Sequence, residues 1–194
     1  MLLERSKTHV CIFNMQLEII PLLRNGMQLL HDCRWLADVC RSLQIACCMI
    51  EHRKLGERAQ TLSDVAGDAQ YFEKAYFDFL QEPEIAQHVA AQNQEHFVLA
   101  GAETHVCLFQ SALGLKQLGK TVFLLADTCS ARSDTDHAYG LSRAQEAGIH
   151  VITREMFFFE MIRTSEYPGY LDLAMKFLDG RYLQTFDTSL KKAS

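Results

Sequence analysis

The sequence predicts an α/β fold, a three-layer sandwich in which a doubly wound, mainly parallel six-stranded sheet carries helices on both faces. Three observations point there. Apolar runs of four to seven residues, rich in Val, Ile, Phe and Cys, recur along the chain; they alternate with longer amphipathic stretches; and several are apolar at consecutive positions, as strands covered on both faces are. A first strand is expected at 9–13, then a long helix within 19–42 and a second strand at 44–50. Residues 51–67 show no clean period, which predicts a loop with at most one helical turn. A short strand at 71–76 follows, and Pro83 stands where the first turn of a helix reaching Ala91 tolerates a residue without an N–H. The clearest unit comes next: a strand at 96–100 ending on Gly101, then a helix N-capped by Thr104 whose Leu108, Ala112 and Leu115 share one face until Gly119 stops it. A fifth strand at 121–126 closing on Asp127, a helix at 134–147 followed by Gly148, a sixth strand at 149–153, and helical pieces at 154–163 and 170–178 complete the pattern. No repeat, linker or composition shift interrupts it, so residues 1–194 read as one domain.

Composition narrows the function classes. With 48% hydrophobic and 22% charged residues, 10 Gly and 3 Pro, the chain falls outside the disordered, collagenous and low-complexity classes. Apolar runs such as 97–102 and 122–126 fall far short of the roughly 18 residues of a membrane span. Residues 1–12 carry Glu4, Arg5 and Lys7 where a signal peptide needs an apolar centre, so a cytoplasmic location is expected. A net charge of -5, from 19 basic and 24 acidic side chains, attracts neither phosphate backbones nor anionic lipid, and no nucleic acid or membrane is expected as partner. The 7 cysteines are odd in number and mostly embedded in apolar runs, which reads as buried thiols rather than disulfides. No CxxC, HxxxH or HExxH spacing offers a closed zinc site, and no GxGxxG or GxxxxGK[ST] offers a nucleotide site, so no cofactor is expected.

In open α/β sheets ligands bind beyond the carboxyl ends of the strands, which directs attention to the residues just after each run. Asn14 follows the first strand, Lys74 and Asp78 lie in or just after the third, and Cys107 sits in the first turn after the fourth. A cysteine at a helix N-terminus faces the positive end of the dipole and unpaired N–H groups, which favours the thiolate and makes a nucleophile. The same donors can hold the oxyanion of a tetrahedral intermediate. The plain alternative is a packed core thiol, and it applies unchanged to Cys11, Cys33, Cys40, Cys47 and Cys48. For Asn14 the plain alternative is a side chain that hydrogen-bonds a turn.

The segment Gly101-Ala102-Glu103-Thr104-His105-Val106-Cys107, directly after an apolar strand, resembles the nucleophile segment of the isochorismatase-like cysteine hydrolases. The resemblance continues through Gln110-Ser111-Ala112-Leu113, Gly119, Asp127, Ser130-Ala131-Arg132, Ala147-Gly148 and Thr153-Arg154-Glu155. Cys11-Ile12-Phe13-Asn14-Met15-Gln16 resembles the family's first strand, which usually ends in aspartate, methionine, glutamine, and Glu73-Lys74-Ala75-Tyr76-Phe77 resembles its lysine segment. What this implies is a catalytic triad of aspartate, lysine and cysteine, onto which Lys74 and Cys107 map directly. It also implies a cis peptide within Ala102-Glu103-Thr104 that aims backbone N–H groups at an oxyanion, and a homo-oligomer.

The departure is Asn14, an amide where the family has its general base, and an amide accepts no proton at ordinary pH. Three outcomes stay open: Cys107 remains a thiolate beside the Lys74 ammonium; Lys74 itself, as neutral amine, serves as base; or the site is retired. Nicotinamidases of the superfamily hold a divalent ion through an aspartate and histidines after the second strand. Here that place offers only Glu51 and His52, flanked by Arg53 and Lys54, so neither a metal nor nicotinamide is expected. Glu51, Leu55-Gly56 and the stretch Glu155 to Phe159 resemble the small uncharacterised hydrolases of the superfamily. The expected function is hydrolysis of an amide or related bond of a small planar metabolite through Cys107, with pocket side chains drawn from 51–67 and from around Arg132. The alternative is a catalytically impaired or non-catalytic protein that keeps the pocket for metabolite binding or assembly. Two further readings concern single features: Asp127 and Arg132 form a loop ion pair or help line the site, and Phe157, Phe158 and Phe159 pack a helix on the core or on another subunit.

Overall fold

The computed structural model describes residues 1–178. Side chains alternate between two apolar clusters along each central strand, and this alternation builds the three layers. On β1 (Thr8–Phe13), Val10 and Ile12 enter one cluster while Cys11 and Phe13 enter the other. On β4 (His96–Ala102) Val98 and Ala100 oppose Phe97 and Leu99 in the same way. Both strands are buried at every position, which explains why they read as unbroken apolar runs. The other strands are β2 (Ala46–His52), β3 (Gln70–Lys74), β5 (Thr121–Ser130) and β6 (His150–Ile152), and the sheet is parallel throughout in the order β3-β2-β1-β4-β5-β6.

The first cluster lies beneath α1 (Gly26–Leu43), α2 (Gln60–Ala66), α6 (Arg154–Ile162) and α7 (Tyr170–Phe177). The second lies beneath α3 (Pro83–Ala91), α4 (Phe109–Gln117) and α5 (Asp134–Glu146). The expected six-stranded, doubly wound sheet with helices on both faces is therefore what the chain forms. Strand order runs outward from β1 to β3, returns to the centre at β4 and runs outward again to β6, so the segments leaving β1 and β4 diverge and open a crevice between them.

Several elements differ from their sequence expectation for identifiable reasons. The helix expected within 19–42 is divided into a 3-10 turn, Ile20–Leu22, and α1, with Asn25 at φ +52° between them. A Cβ at Gly26 would lie 1.9 Å from the Ile20 carbonyl oxygen, so the break needs this glycine, while the apolar spacing runs on through it. Residues 51–67 contain α2, a longer helical piece than expected. β5 continues past Asp127 to Ser130: its pairing with β4 slips between Leu99 and Gly101, and the exposed Asp127 lies in the slipped stretch rather than at the strand's end. Thr104 does not cap a helix. Glu103 is the extended residue, and Thr104–Leu108 form a π-helical turn that leads into α4. In α6, Phe157 and Phe158 are fully buried, and Phe158 meets Trp35 and Phe177, so this helix packs on the core. Among the described residues no helix is long and apolar enough to cross a membrane.

Candidate active site

The turn after β4 is shaped by Gly101, whose φ is +106° and whose Cβ, if present, would stand 2.2 Å from the Phe13 carbonyl oxygen. Only glycine fits, and the ends of β4 and β1 close on each other there. The Ala102–Glu103 peptide bond is cis. Thr104 Oγ1 donates to the Ser130 carbonyl at 3.0 Å and lies 2.9 Å from His137 Nδ1. With its one proton directed at Ser130, the hydroxyl accepts from Nδ1–H, and burial holds His137 below the usual imidazole range, in keeping with a neutral ring.

The π-helical turn carries Cys107, 4% exposed, to the end of β3, where Lys74 is 0% exposed. Lys74 Nζ lies 3.2 Å from Cys107 Sγ and donates to the Tyr76 carbonyl at 3.2 Å. Among the described residues no carboxylate forms an ion pair with Lys74. Asn14 has φ +54° and is 1% exposed. Its Nδ2 donates to the Ala102 carbonyl at 2.5 Å, its backbone N–H donates to Ile50 at 2.7 Å, and its buried Oδ1 has no hydrogen-bond partner. Two of the three sequence-predicted residues therefore meet, while the third binds the turn that carries the cysteine. An ionised aspartate in this pose would press an oxygen against the Ala102 carbonyl oxygen, a repulsion the amide converts into a hydrogen bond.

Other residues, none of them a site candidate from the sequence, hold the segments around this pair. Buried Glu82 accepts from the Ala75 N–H at 2.6 Å and pairs with Arg53 at 3.1 Å, and the Ala75 bond holds its carboxyl below the usual range. This clamps the backbone beside Lys74. Ser111 accepts from the Phe79 N–H and donates to the Phe77 carbonyl, tying α4 to the segment after β3. Gln16 bonds His52 and Gly56, fixing the end of β1 against the loop after β2. Lying next to Pro83, Glu82 reads in sequence as a helix boundary, whereas Ser111 and Gln16 fall in segments that carry the family resemblance but show nothing of the partners they bind.

The remaining candidates have structural partners. Asp78 accepts from the Leu80 N–H and caps a short turn. Asp127 accepts from the Arg154 N–H at 2.8 Å and Arg132 pairs with Glu103 at 2.8 Å, so the two do not pair with each other. Glu51 pairs with Arg58 at 3.0 Å and His52 Nε2 lies 3.2 Å from the Ala75 carbonyl. One engaged carboxylate and one engaged imidazole do not fit the nicotinamidase type of divalent-ion site. A cavity of about 210 Å³ lies beside the turn, lined in part by Arg24, Asp32, Ser130, Asp134 and His137; Cys107, Lys74 and Asn14 do not line it.

The sequence signature of the Isochorismatase domain matches residues 8–156, from β1 into α6. The chain belongs to the isochorismatase family. Isochorismatase domain-containing protein 1 of Salmo salar is 32% identical over 119 residues, 61% of this chain and 42% of that protein. The Xenopus laevis isochorismatase domain-containing protein 2 is 29% identical, with 53% of its length covered, so the match spans about half the length of these curated relatives. Among solved structures, the Escherichia coli YcaC gene product, an octameric hydrolase of unknown specificity, superposes with a TM-score of 0.87 at 19% identity, covering 97% of each chain. The MAR1 ribonuclease of Caenorhabditis elegans gives 0.85 at 22%, covering 92% of each. At such identities these two likenesses establish the isochorismatase-type fold and nothing finer.

Proposed function

We propose that this isochorismatase-family chain is a cysteine hydrolase that cleaves an amide or related bond of a small planar metabolite through Cys107. The observation that supports this reading is the Lys74–Cys107 contact of 3.2 Å, made by a lysine with no carboxylate partner among the described residues. A buried ammonium without an opposite charge is strongly disfavoured, and a thiolate at Cys107 supplies that charge.

The thiolate forms a C–S bond to the substrate carbonyl carbon, and the displaced π electrons on oxygen are met by backbone N–H groups of the Glu103 to Cys107 turn. Collapse of the adduct breaks the C–N bond, and the leaving nitrogen takes a proton from the Lys74 ammonium. Neutral Lys74 then accepts a proton from the water that attacks the thioester. Loss of the thiolate yields the carboxylic acid and restores the ion pair. Lys74 thus performs the proton transfers that Asn14 cannot, and Asn14 fixes the turn.

A thiol-directed electrophile tests this directly. Exposure alone favours Cys47, the only cysteine of the chain that is not buried. Thiolate chemistry favours Cys107, and iodoacetamide at neutral pH with peptide mapping is expected to label it first. Labelling led by Cys47, or equal across the thiols, overturns the reading. A second reading, a non-catalytic metabolite-binding or assembly protein, is favoured by Asn14 and by the nearly sealed sulfur.

A further inference from the structure

At the amino-terminal side of the sheet, the His9 ring on β1 is 3% exposed, and neither of its nitrogens has a hydrogen-bond partner. Buried polar atoms are almost always satisfied, so a ring with both nitrogens open calls for an explanation. Two other donors converge on it. Ligating atoms of His9, of Cys48 on β2 and of His88 on α3 all lie within 4.8 Å of one another. The imidazoles meet edge to face with centroids 5.4 Å apart, and Phe97 and Phe72 pack against the His9 and His88 rings. The Gln92 amide nitrogen lies 3.4 Å from the His88 ring nitrogens, and Cys11 Sγ lies 3.6 Å from Cys48 Sγ. A cavity of about 450 Å³, lined in part by His9, Gln70, His88 and Gln92, gives a path to the cluster.

We propose that His9, Cys48 and His88 form a zinc(II) site, with water from the cavity in the fourth position. Two imidazoles and one thiolate suit a borderline-soft cation of tetrahedral habit, whereas magnesium and calcium require oxygen donors that this cluster lacks. Binding forms a Zn–S bond and releases the Cys48 thiol proton to solvent, with no change of oxidation state. The Cys11 S–H can then donate to the new thiolate. His9 precedes Asn14 by five residues, roughly 16 Å along an extended strand, so this site shares no ligand with the candidate active site.

Cobalt(II) is the test probe, added to the reduced, metal-free full-length protein at neutral pH. One cobalt per chain is expected, with a thiolate-to-cobalt charge-transfer band, bleached by zinc(II), and zinc alone is expected to raise the melting temperature. Cys48→Ser should abolish the band, and His88→Gln, at a partly exposed position, should weaken binding at least about tenfold while the fold persists. Cys11→Ser, which removes no ligand, should keep the band. Absence of the band from the wild-type protein, or its survival in folded Cys48→Ser or undiminished in His88→Gln, overturns the proposal.

Discussion

An amide at residue 14 changes what the neighbouring backbone can do as well as what the site can protonate. Asn14 donates to the Ala102 carbonyl next to the cis bond, and a carboxylate cannot. Asn14→Asp is therefore expected to act in two directions. It loses a buried hydrogen bond, costing about 1–3 kcal/mol, and it introduces a proton acceptor beside the turn that carries Cys107, raising amide hydrolysis about 100-fold, the low end of what a positioned base contributes. Ammonia release from a panel of small amides, read with the melting temperature, checks both effects. A variant that loses stability without gaining turnover on any amide favours the non-catalytic reading. At this scale Lys74 and Cys107 were legible because each sits in a recognisable strand-end segment. Their 3.2 Å contact was not legible from composition or periodicity, since the two lie 33 positions apart in the chain. His9, Cys48 and His88 were invisible for the same reason: spacing rules see ligands on one element, and these occupy three.

Between β3 and α3, Glu82 shows how an element boundary positions the candidate lysine, Lys74. Its carboxylate takes the Ala75 N–H, and that bond holds its folded-state titration below the ordinary value of about 4.3. A depressed carboxyl contributes stability that is present above the unfolded-state value and lost as pH falls through the folded-state value. The melting temperature of the wild-type chain is thus expected to exceed that of Glu82→Gln near neutral pH, and the gap to narrow as pH falls below about 4.3. A gap that stays constant across that window means the Ala75 clamp does not depend on the charge. Because Ala75 follows Lys74, the same variant should slow Cys107 alkylation. The elements themselves were largely legible, since strands covered on both faces announce themselves as apolar runs. Their ends were less so: the polar Asp127 imitates a terminator inside β5, and the apolar period passes unbroken over the Gly26 break. Side chains such as Ser111, whose partners lie on another element, leave no periodic trace.

For the whole molecule, order 3-2-1-4-5-6 follows from two outward windings that start side by side at β1 and β4, and it explains why Asn14 and the cysteine turn lie side by side. Sequence alternation gives the class of such a fold, but which strands neighbour one another is decided by crossovers that leave no mark on hydropathy. Assembly is less legible still. Several large apolar side chains stand exposed, among them Leu22, Met27, Tyr139, Leu171 and Met175. Scattered singly these need no explanation, but Leu171 and Met175 lie four apart on one face of α7. This face is where a second copy would pack in the homo-oligomer that the sequence resemblance implies. Light scattering on the eluting protein at micromolar concentration should return a multiple of the 22.1 kDa chain, and Leu171→Glu should lower it if the α7 face is covered by a second copy. A wild-type mass equal to one chain would remove assembly from the account and leave the cysteine and zinc proposals to stand on the monomer, where all of their named residues already reside.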